Sequence, residues 1–533
     1  MEVYSGKTIN GSIAVGKIFF FSKNITSIKE TADDPAAELS RYEQAAAVAC
    51  EQLDELYRKA LADTGEETAA IFEFHRMMLE DDDYIDSVKE YISGSGYTAE
   101  MAVKSTGKKL AAMFADMDDE YMKARSSDVR DVTNRLLTVL TGGSSLTLDE
   151  PVILAAEELT PGDTIQLDKA KLLGLVTDIG SDNSHTAILA RSLDLPAIYG
   201  VKLSEFCDGK LAVLDGCKGE LIVDPDNETL EKAREQLRRN EARIRKLQDL
   251  RDLPAVTKDG RRIKLYANIA GPEDVAAVLA DGGEGVGIFR TEFLYMNSDD
   301  YPTEDEQFEA YKAVAEGMKG KEVIIRTLDI GADKQLDYLK LDNEDNPALG
   351  CRAIRICLTR PEIFRTQLRA ILRASTYGNV SIMFPMIASL WEAREAKAIL
   401  EKCRQELLEE GKNIGRPRVG VMIETPASVI ISDMLAEEVD FFSIGTNDLT
   451  QYTLATDRQN PNIKDFVDTH HPAVLRMIKM TAENAHAKGI SVAICGELGA
   501  DLTLTEEFIE MGIDDLSVAP PKLLPLKEKI RSL

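Results

Sequence analysis

The chain has 533 residues, 44% of them hydrophobic, a size that predicts several domains and more than one core. Its formal net charge of −29 disfavours binding to phosphate backbones, so we expect no nucleic-acid partner. The seven cysteines show no metal-ligand spacing, and the first residues lack the pattern of a signal peptide. No uncharged run approaches the roughly 20 residues of a membrane span, and we therefore expect a cytoplasmic protein without a membrane partner.

The first half of the chain alternates between strand-rich and helical segments. Short strand-like runs in residues 1–32 precede residues 33–143, whose richness in Ala, Leu, Glu and Lys predicts an inserted helical bundle. Residues 144–225 alternate apolar runs with turns, so we expect them to form one α/β domain together with residues 1–32. Residues 226–254 carry many charges and a narrow apolar stripe, which predicts either a helical linker or a helix packed on one face.

Residues 255–533 have the size and the alternation of a (β/α)8 barrel of the TIM type. The predicted strands are Leu265–Ile269, Gly285–Phe289, Val323–Ile325, Val380–Phe384, Val419–Ile423, Phe441–Ile444, Ser491–Ile494 and Leu516–Val518. Polar or reactive residues follow them, namely Arg290, Arg326 with Asp329, Met386, Glu424, Asn447 with Asp448, and Cys495 with Glu497. Because barrels carry catalytic groups at the C-terminal ends of their strands, we expect one active site there.

Cations and carboxylates at this face suggest metal-assisted chemistry on a small anion. For any one of Arg290, Arg326 and Arg352, an ion pair with a nearby carboxylate is the ordinary explanation. Three such cations at one face favour recognition of phosphate and carboxylate groups. Glu424 and Asp448 follow neighbouring strands and together suit one Mg²⁺ ion, although each carboxylate alone also suits a helix cap.

Two further residues suit covalent or proton chemistry. A small-residue turn after a strand-like run predicts a helix with Ser184 as its N-cap and His185 in its first turn. Backbone N–H groups there attract anions, and a neutral imidazole can attack phosphorus; an ordinary histidine of a capping region is the alternative. Cys495 follows a strand beside Gly496, which suits either an acid or nucleophile or a small buried side chain.

The motifs resemble one family in their order. The segment GSDNSHTAILARSLDLPAI, after ELTPGDT, is similar to the phosphohistidine domain shared by Enzyme I of the sugar phosphotransferase system, pyruvate phosphate dikinase and phosphoenolpyruvate synthase. GVGIFRTEFL, RTLDIGADK, NPALGCRAIR, FPMI, GVMIETPA, FFSIGTNDLTQY, ATDR and CGEL follow in the order of Enzyme I, the phosphoenolpyruvate-protein phosphotransferases. IFEFHRMMLEDDDYI and DDEYMKARSSDVRDV resemble its segment that docks the carrier protein HPr, whereas dikinases and synthases carry a large nucleotide-binding domain instead.

The resemblance implies phosphoenolpyruvate-dependent phosphorylation of His185, release of pyruvate, transfer to HPr for sugar uptake, and a swivelling phosphohistidine domain. It implies support of the phosphohistidine by Arg191 and Thr164, with Cys495 as the acid that protonates the enolate. The implied phosphoenolpyruvate ligands are Arg290, Arg326, Arg352, Asn447 and Arg458, and the implied Mg²⁺ ligands are Glu424 and Asp448. A homodimer through the barrel domain is implied as well.

Two alternatives remain open. The family turn reads Gly-Gly-basic-Thr-Ser-His, but Ser181, Asp182 and Asn183 stand here, which suits a relative that phosphorylates a different carrier. A regulatory phosphocarrier without catalysis is the other alternative, and the intact set of Arg, Glu, Asp and Cys residues argues against it.

Overall fold

The computed structural model describes residues 1–21, 29–63, 66–116, 120–142, 148–181, 184–193, 195–298, 300–331, 336–342 and 344–533. These residues form two compact units, Met1–Ala242 and Arg243–Leu533. The predicted multidomain α/β fold, with an inserted helical bundle and a C-terminal barrel, is confirmed. In the described ranges, no helix combines the length and the apolarity that a bilayer crossing needs.

The first unit contains a mixed eight-stranded sheet in the order β1-β8-β7-β3-β4-β5-β6-β2. Its strands are β1 Glu2–Ser5, β2 Lys7–Asn10, β3 Ile13–Phe21, β4 Val152–Ala156, β5 Leu172–Thr177, β6 Ala197–Tyr199, β7 Leu211–Asp215 and β8 Glu220–Val223. The central strands β3 to β6 are parallel, and the remaining pairs are antiparallel. Both segments of the predicted α/β domain therefore lie in one sheet.

A helical bundle leaves this sheet after β3 and returns before β4. Its helices are α1 Pro35–Asp63, α2 Glu66–Glu80, α3 Asp82–Ser95, α4 Ala99–Ala115 and α5 Glu120–Thr141. Asp81 caps α3 by accepting the backbone N–H groups of Asp83 and Tyr84, which satisfies donors that have no partner within the helix. The bundle has a core of its own, in which Tyr42, Leu53 and other apolar residues are buried.

Outside the bundle, the first unit contains α6 Pro161–Gln166, α7 His185–Ser192 and the larger part of α8 Asn227–Gln248. Leu230, Ala233 and Leu237 pack the first part of α8 against the sheet. In its second part Ile244 is 59% exposed. The helix therefore combines a packed beginning with a solvated end, and the boundary between the two compact units falls inside it.

The second unit is a closed barrel of parallel strands. They are β9 Lys264–Ile269, β10 Gly285–Arg290, β11 Glu322–Arg326, β12 Val380–Phe384, β13 Arg418–Ile423, β14 Phe441–Ile444, β15 Ser491–Ile494 and β16 Asp515–Val518. All eight predicted strands are confirmed within one residue at each end. Side chains such as Tyr266, Met383 and Phe441 fill the interior, so the barrel is a packed core with its functional surface at one end.

Helices surround the barrel and bury the outer faces of its strands. They are α9 Val275–Ala280, α10 Glu292–Met296, α11 Glu304–Gly317, α12 Ile354–Thr359, α13 Pro361–Ala374, α14 Leu390–Glu409, α15 Pro426–Ile430, α16 Ser432–Leu435, α17 Thr446–Leu454, α18 Pro472–Ala487, α19 Thr505–Met511 and α20 Leu523–Ser532. Short 3-10 helices occupy Lys169–Lys171, Glu205–Cys207, Pro272–Asp274, Asp337–Leu339, Pro347–Leu349, Pro461–Phe466, Glu497–Ala500 and Pro520–Lys522.

Candidate active site

A cavity of about 640 Å³ opens at the C-terminal ends of the barrel strands. The structure brings together there every barrel residue to which the sequence assigned a role: Arg290, Arg326, Arg352, Glu424, Asn447, Asp448, Arg458 and Cys495. Met386 reaches the same site through its backbone, since its N–H donates to Glu424. The wall of the cavity thus combines cations, carboxylates, an amide and a thiol.

Two of the arginines are buried and held by carboxylates. Arg326 Nη2 lies 2.5 Å from Glu292 Oε1, and its Nη1 lies 2.6 Å from Asp329 Oδ2. Arg352 Nη2 lies 2.8 Å from the other oxygen of Asp329, so one carboxylate bridges both guanidinium groups. Burial by itself lowers the pKa of both arginines. The nearby carboxylates, Asp329 first, raise it by more than burial lowers it, so the net shift is upward and both arginines remain charged.

These ion pairs leave donors for a ligand. The Nε atoms of Arg326 and Arg352 are buried and have no hydrogen-bond partner in the part of the chain that the structure describes. An unpaired buried N–H is costly, and an anion in the cavity would supply the missing acceptor. The ordinary ion-pair role and the anion-binding role are therefore compatible for these two arginines.

The other two arginines are held less firmly. Arg290 is half-buried on the cavity wall, and among the described residues it has neither an ion pair nor a hydrogen-bonded side chain. Arg458 is exposed, with Nη2 at 3.9 Å from Asp448 Oδ1, while its backbone N–H donates to Gln451 Oε1 at 3.1 Å. The backbone of Arg458 is thus fixed while its guanidinium group can reach a ligand.

Glu424 is buried directly behind β13, where its Oε1 accepts the backbone N–H of Met386 at 2.6 Å. Met386 has a φ of 56°, a left-handed conformation that non-glycine residues seldom adopt. Gly445 fits beside the carboxylate because a Cβ there would lie 2.7 Å from Glu424 Oε2. The loops after β12 and β14, the strands on either side of β13, therefore form a close cradle around Glu424.

Burial and the neighbouring carboxylates disfavour a negative charge on Glu424. Burial, followed by the charges of Asp448 and Asp329, raises the pKa of Glu424 to about 8, although Arg326 opposes the shift. Asp448 Oδ1 is buried and accepts no hydrogen bond among the described residues, and it lies 3.5 Å from Arg352 Nη1. A divalent cation between Glu424 and Asp448 would relieve this repulsion. In the described ranges no group of three or more His, Cys, Asp or Glu is arranged as a metal site.

Cys495 closes the inner end of the cavity. Its side chain is buried among Met422, Met383 and other residues of the barrel interior, and its Sγ lies 3.6 Å from the carbonyl oxygen of Ile444. Burial, followed by the charge of Glu424, raises the pKa of the thiol to about 11. A thiol that keeps its proton at neutral pH suits a proton donor rather than a thiolate nucleophile.

Asn447 is held in one orientation by Glu497. The backbone N–H of Glu497 donates to Asn447 Oδ1 at 3.1 Å, and Asn447 Nδ2 donates to Glu497 Oε1 at 3.2 Å. Because the amide oxygen is already engaged, the remaining N–H of Nδ2 is the group that Asn447 can present to an anion. The pair also connects the first turn of α17 to the segment after β15 that carries Cys495.

Glu292, Glu497 and Tyr452 also line the cavity. Glu497 was expected at this face as a polar residue after a strand, whereas the sequence gave Glu292 and Tyr452 no part in the site. Their only signal in the sequence is proximity to a predicted site residue. Tyr452 lies four residues after Asp448, which places both on one face of α17. Each of the three holds another cavity residue in place, so pairing rather than residue type identifies them.

The candidates of the first unit lie around α7. Ser184 is the N-cap, as predicted, and its Oγ accepts the N–H of Ala187 at 3.3 Å, which makes His185 the first residue of the helix. Arg191 lies exposed in the last turn. Thr164 is buried on α6, a helix that packs against α7. Asp182 and Asn183 lie outside the described residues.

Comparison with known proteins places this geometry in a class. Models of the PEP-utilising enzymes match over residues 244–533 for the PEP-binding domain, over residues 5–125 for the N-terminal domain and over residues 148–219 for the mobile domain. The domains and the cavity thus define a phosphoenolpyruvate-utilising enzyme.

The relatives narrow the class further. A phosphoenolpyruvate-protein phosphotransferase of Bacillus subtilis (strain 168) is 44% identical over 540 residues, covering 100% of this chain and 95% of the relative. One of Geobacillus stearothermophilus is 44% identical, covering 99% and 93%. A solution structure of Enzyme I is 34% identical with a TM-score of 0.39 and covers 45% of this chain and 99% of that chain. The chain belongs to the family of phosphoenolpyruvate-protein phosphotransferases, and the resemblance seen in its motifs is confirmed.

Proposed function

We propose that this protein transfers the phosphoryl group of phosphoenolpyruvate to His185, releases pyruvate and passes the phosphoryl group to an HPr-type carrier for sugar uptake. The observation that carries the proposal is the cavity, in which four arginines and Asn447 surround a buried carboxylate pair and a protonated thiol. Phosphoenolpyruvate carries a phosphate and a carboxylate on three carbons, and such a wall offers donors to both groups.

In this proposal the His185 imidazole attacks phosphorus in line with the bond between phosphorus and the enol oxygen. As the new N–P bond forms, the P–O bond breaks and its electron pair stays on oxygen, giving the enolate of pyruvate. Arg290, Arg326 and Arg352 neutralise the charge that moves from the phosphoryl group to that oxygen. Cys495 then gives its proton to the methylene carbon of the enolate, which completes pyruvate, and solvent returns a proton to the thiolate.

Mg²⁺ belongs to the same proposal, with Glu424 and Asp448 as its protein ligands. The residues fit the ion, since Mg²⁺ is usually held by one or two carboxylates together with substrate phosphate and water. Bound there, the ion would add positive charge next to the phosphoryl oxygens. Its binding would also displace the proton that burial favours on Glu424, because the ion supplies the positive charge which that carboxylate lacks.

The first unit is proposed to carry and deliver the phosphoryl group. Residues 1–32 and 144–225 would form the phosphohistidine domain, in which Thr164 and Arg191 support His185. Residues 226–254 would form a linker to the barrel, which comprises residues 255–533. The helical bundle, residues 33–143, would dock the carrier. Its α2–α3 corner exposes Asp81, Asp82 and Asp83, which favours a partner with a basic docking surface.

The cellular location and the oligomeric state complete the proposal. A cytoplasmic location is supported by the seven cysteines, none of which is paired. A homodimer through the barrel is supported by Trp391, Ile430 and Met434, large apolar side chains that α14 to α16 expose. Sedimentation at several concentrations tests the dimer, and one monomer mass at all concentrations would exclude it.

The test of the central proposal is labelling with phosphoenolpyruvate that carries labelled phosphate. With Mg²⁺, the protein is expected to acquire one acid-labile phosphate and to pass it to purified HPr. His185→Ala removes the labelled site, and chelation of Mg²⁺ slows labelling strongly. His486→Ala is the matched control, since His486 lies on the barrel surface paired with Asp514 and should not affect labelling.

Acid-labile phosphate that persists in His185→Ala would refute the proposal. Normal labelling and pyruvate release without transfer to HPr would instead select a different carrier, the alternative that the Ser181–Asn183 turn suggests.

A further inference from the structure

Tyr452 joins two segments of the cavity wall. Its hydroxyl donates to the carbonyl oxygen of Ala348 and accepts Arg352 Nη1 at 3.1 Å. Tyr452 stands on α17, one turn after Asp448, whereas Ala348 and Arg352 belong to the long connection between β11 and α12. A single hydroxyl group therefore ties this connection to the helix that carries the metal-ligand candidate.

The segment around Ala348 has its own internal support. The Glu344 carboxylate accepts the backbone N–H of Cys351 at 2.9 and 3.1 Å. Arg355 Nη1 donates to the carbonyl oxygen of Leu349 at 2.7 Å. These bonds shape residues 344–353, the segment before α12, but do not connect this segment to α17. Its position over the cavity depends on contacts to other elements, and the Tyr452 hydroxyl is one of them.

The same hydroxyl restricts the guanidinium group of Arg352. Asp329 engages Nη2 at 2.8 Å and Tyr452 engages Nη1 at 3.1 Å, so two of the three nitrogens are fixed from different directions. A planar guanidinium group held at two nitrogens has a fixed plane. The direction of Nε–H, which has no hydrogen-bond partner among the residues that the structure describes, is then fixed as well.

If the Tyr452 hydroxyl were removed, a competing acceptor for Arg352 Nη1 would remain nearby. Asp448 Oδ1 already lies 3.5 Å from Arg352 Nη1. Without Tyr452 as an acceptor, the guanidinium group can close on this carboxylate. The closer ion pair would withdraw Arg352 from an anion and occupy the oxygen of Asp448 that otherwise accepts no hydrogen bond in the described ranges.

We propose that Tyr452 is a positioning residue for phosphoenolpyruvate: its hydroxyl sets the plane of Arg352 and holds the Ala348 loop against α17, so that the binding site is formed before the substrate arrives. The inference rests on the proposed function. A site formed in advance binds more tightly because the loop and the guanidinium group are already ordered, so binding does not have to lower their conformational entropy. A positioning role through Arg352 predicts weaker binding, with chemistry largely preserved once the substrate is bound.

The test is Tyr452→Phe, which keeps the ring and removes the hydroxyl. Losing a hydrogen bond to a charged group corresponds to a rise of about tenfold in KM for phosphoenolpyruvate, and we expect kcat to stay within about twofold. Tyr338→Phe is the matched control: Tyr338 is half-buried, and its hydroxyl likewise donates to a backbone carbonyl, that of Tyr295. Its KM should remain within about twofold of wild type, and melting curves should show both variants folded.

A double-mutant cycle separates positioning from packing. Affinity is measured by calorimetry in the His185→Ala background, which binds phosphoenolpyruvate without turnover. Combined with Arg352→Met, Tyr452→Phe should lose most of its effect, because it acts through Arg352. Unchanged affinity in Tyr452→Phe, independent effects in the cycle, or an equal loss in Tyr338→Phe would each overturn the inference. Wild-type protein that binds phosphoenolpyruvate but forms no pyruvate would overturn the proposed function instead, and the cycle would still decide the role of Tyr452.

Discussion

At the residue scale, Cys495 shows how burial selects a chemical role. A cysteine pKa raised to about 11 means that the folded protein holds the thiol proton throughout the neutral range. The donating form is lost only as the pH approaches that value. A nucleophilic thiolate, one of the roles that the sequence left open, requires the opposite shift.

We predict that Cys495→Ala slows pyruvate formation by about two orders of magnitude or more, the range typical of a removed general acid. Phosphoenolpyruvate affinity should change little, because the arginines and Asn447 remain. In wild type, the single-turnover rate of pyruvate formation should show no loss from deprotonation of Cys495 between pH 7 and pH 9. Rapid quench with separate measurement of pyruvate and phosphoenzyme tests these points.

The control for this variant is Cys217→Ala, which removes an exposed cysteine of the first unit. If Cys495→Ala forms pyruvate at the wild-type rate, Cys495 is only a packing residue of the barrel interior.

The sequence predicted which residues meet at the cavity but not how they pair. Arg326 and Glu424 follow apolar runs, so the strand positions alone place them at one face. The bridge that Asp329 makes between Arg326 and Arg352 depends on the irregular connection after β11, where no periodicity orients a side chain. Tyr452 was missed for the same reason, because its partners come from that connection.

At the element scale, the two ends of the barrel strands carry polar residues with different roles. The C-terminal ends carry the cavity, whereas the N-terminal ends carry a buried polar cluster that the apolar pattern did not predict. In it, Glu322 at the start of β11 accepts hydrogen bonds from Tyr266, Ser381 and Arg418. Asp515 at the start of β16 is buried at the same end of the barrel, with Lys264 Nζ at 3.7 Å. Sequence periodicity finds strands, but it cannot show which strand-end polar groups are satisfied.

Asp515 gives a prediction about stability and pH. Burial raises its pKa from 3.8 to about 6, despite the charge of Lys264, so the folded state disfavours the carboxylate. The free-energy cost of folding with this carboxylate is absent below pH 4, because Asp515 is then protonated in both states. The cost grows between pH 4 and pH 6 and stays constant above pH 6. At pH 7.5 it corresponds to roughly 3 kcal/mol. Asp515→Asn removes the charge and should stabilise the barrel by up to that amount at pH 7.5 and by about half as much at pH 5.

Urea unfolding of the wild type and the variant at the two pH values measures this difference. Asp249→Asn is the control, because Asp249 is exposed and its replacement should leave stability unchanged at both. A stabilisation by Asp515→Asn that does not depend on pH, or a loss of stability at pH 7.5, would show that the Asp515 carboxylate is not disfavoured in the fold.

At the scale of the whole molecule, the chain consists of two units with separate cores. The bundle and the sheet of the first unit bury their own apolar clusters, and the barrel buries another. The sequence predicted α8 as a helix, but its charged pattern continues across the boundary at Ala242 and Arg243. The boundary falls inside residues 226–254, which the sequence predicted as a linker. The hydrophobic pattern alone cannot place it at one residue, because that pattern reports where side chains pack and not where long-range contacts end.

This division predicts that the reaction can be separated into two proteins. Because each unit has its own core, fragments Met1–Ala242 and Arg243–Leu533 should each fold, which melting curves can show. The barrel fragment should bind phosphoenolpyruvate as the intact chain does but acquire no phosphate, because His185 lies on the other fragment. Mixed with Mg²⁺, the two fragments should phosphorylate His185 at a rate that rises in proportion to the barrel concentration.

In the intact chain the same step is first-order, because the connection through α8 holds the units at an effective concentration of about 1 mM. At about 10 μM of each fragment, labelling should therefore be roughly 100-fold slower than in the intact chain. The control is the Met1–Ala242 fragment with His185→Ala, which should stay unlabelled. Acid-labile phosphate on the barrel fragment alone, or on the first fragment without the barrel, would contradict a reaction shared between the units. A rate in the mixture equal to that of the intact chain would show that the covalent connection contributes nothing to the encounter of His185 with the substrate.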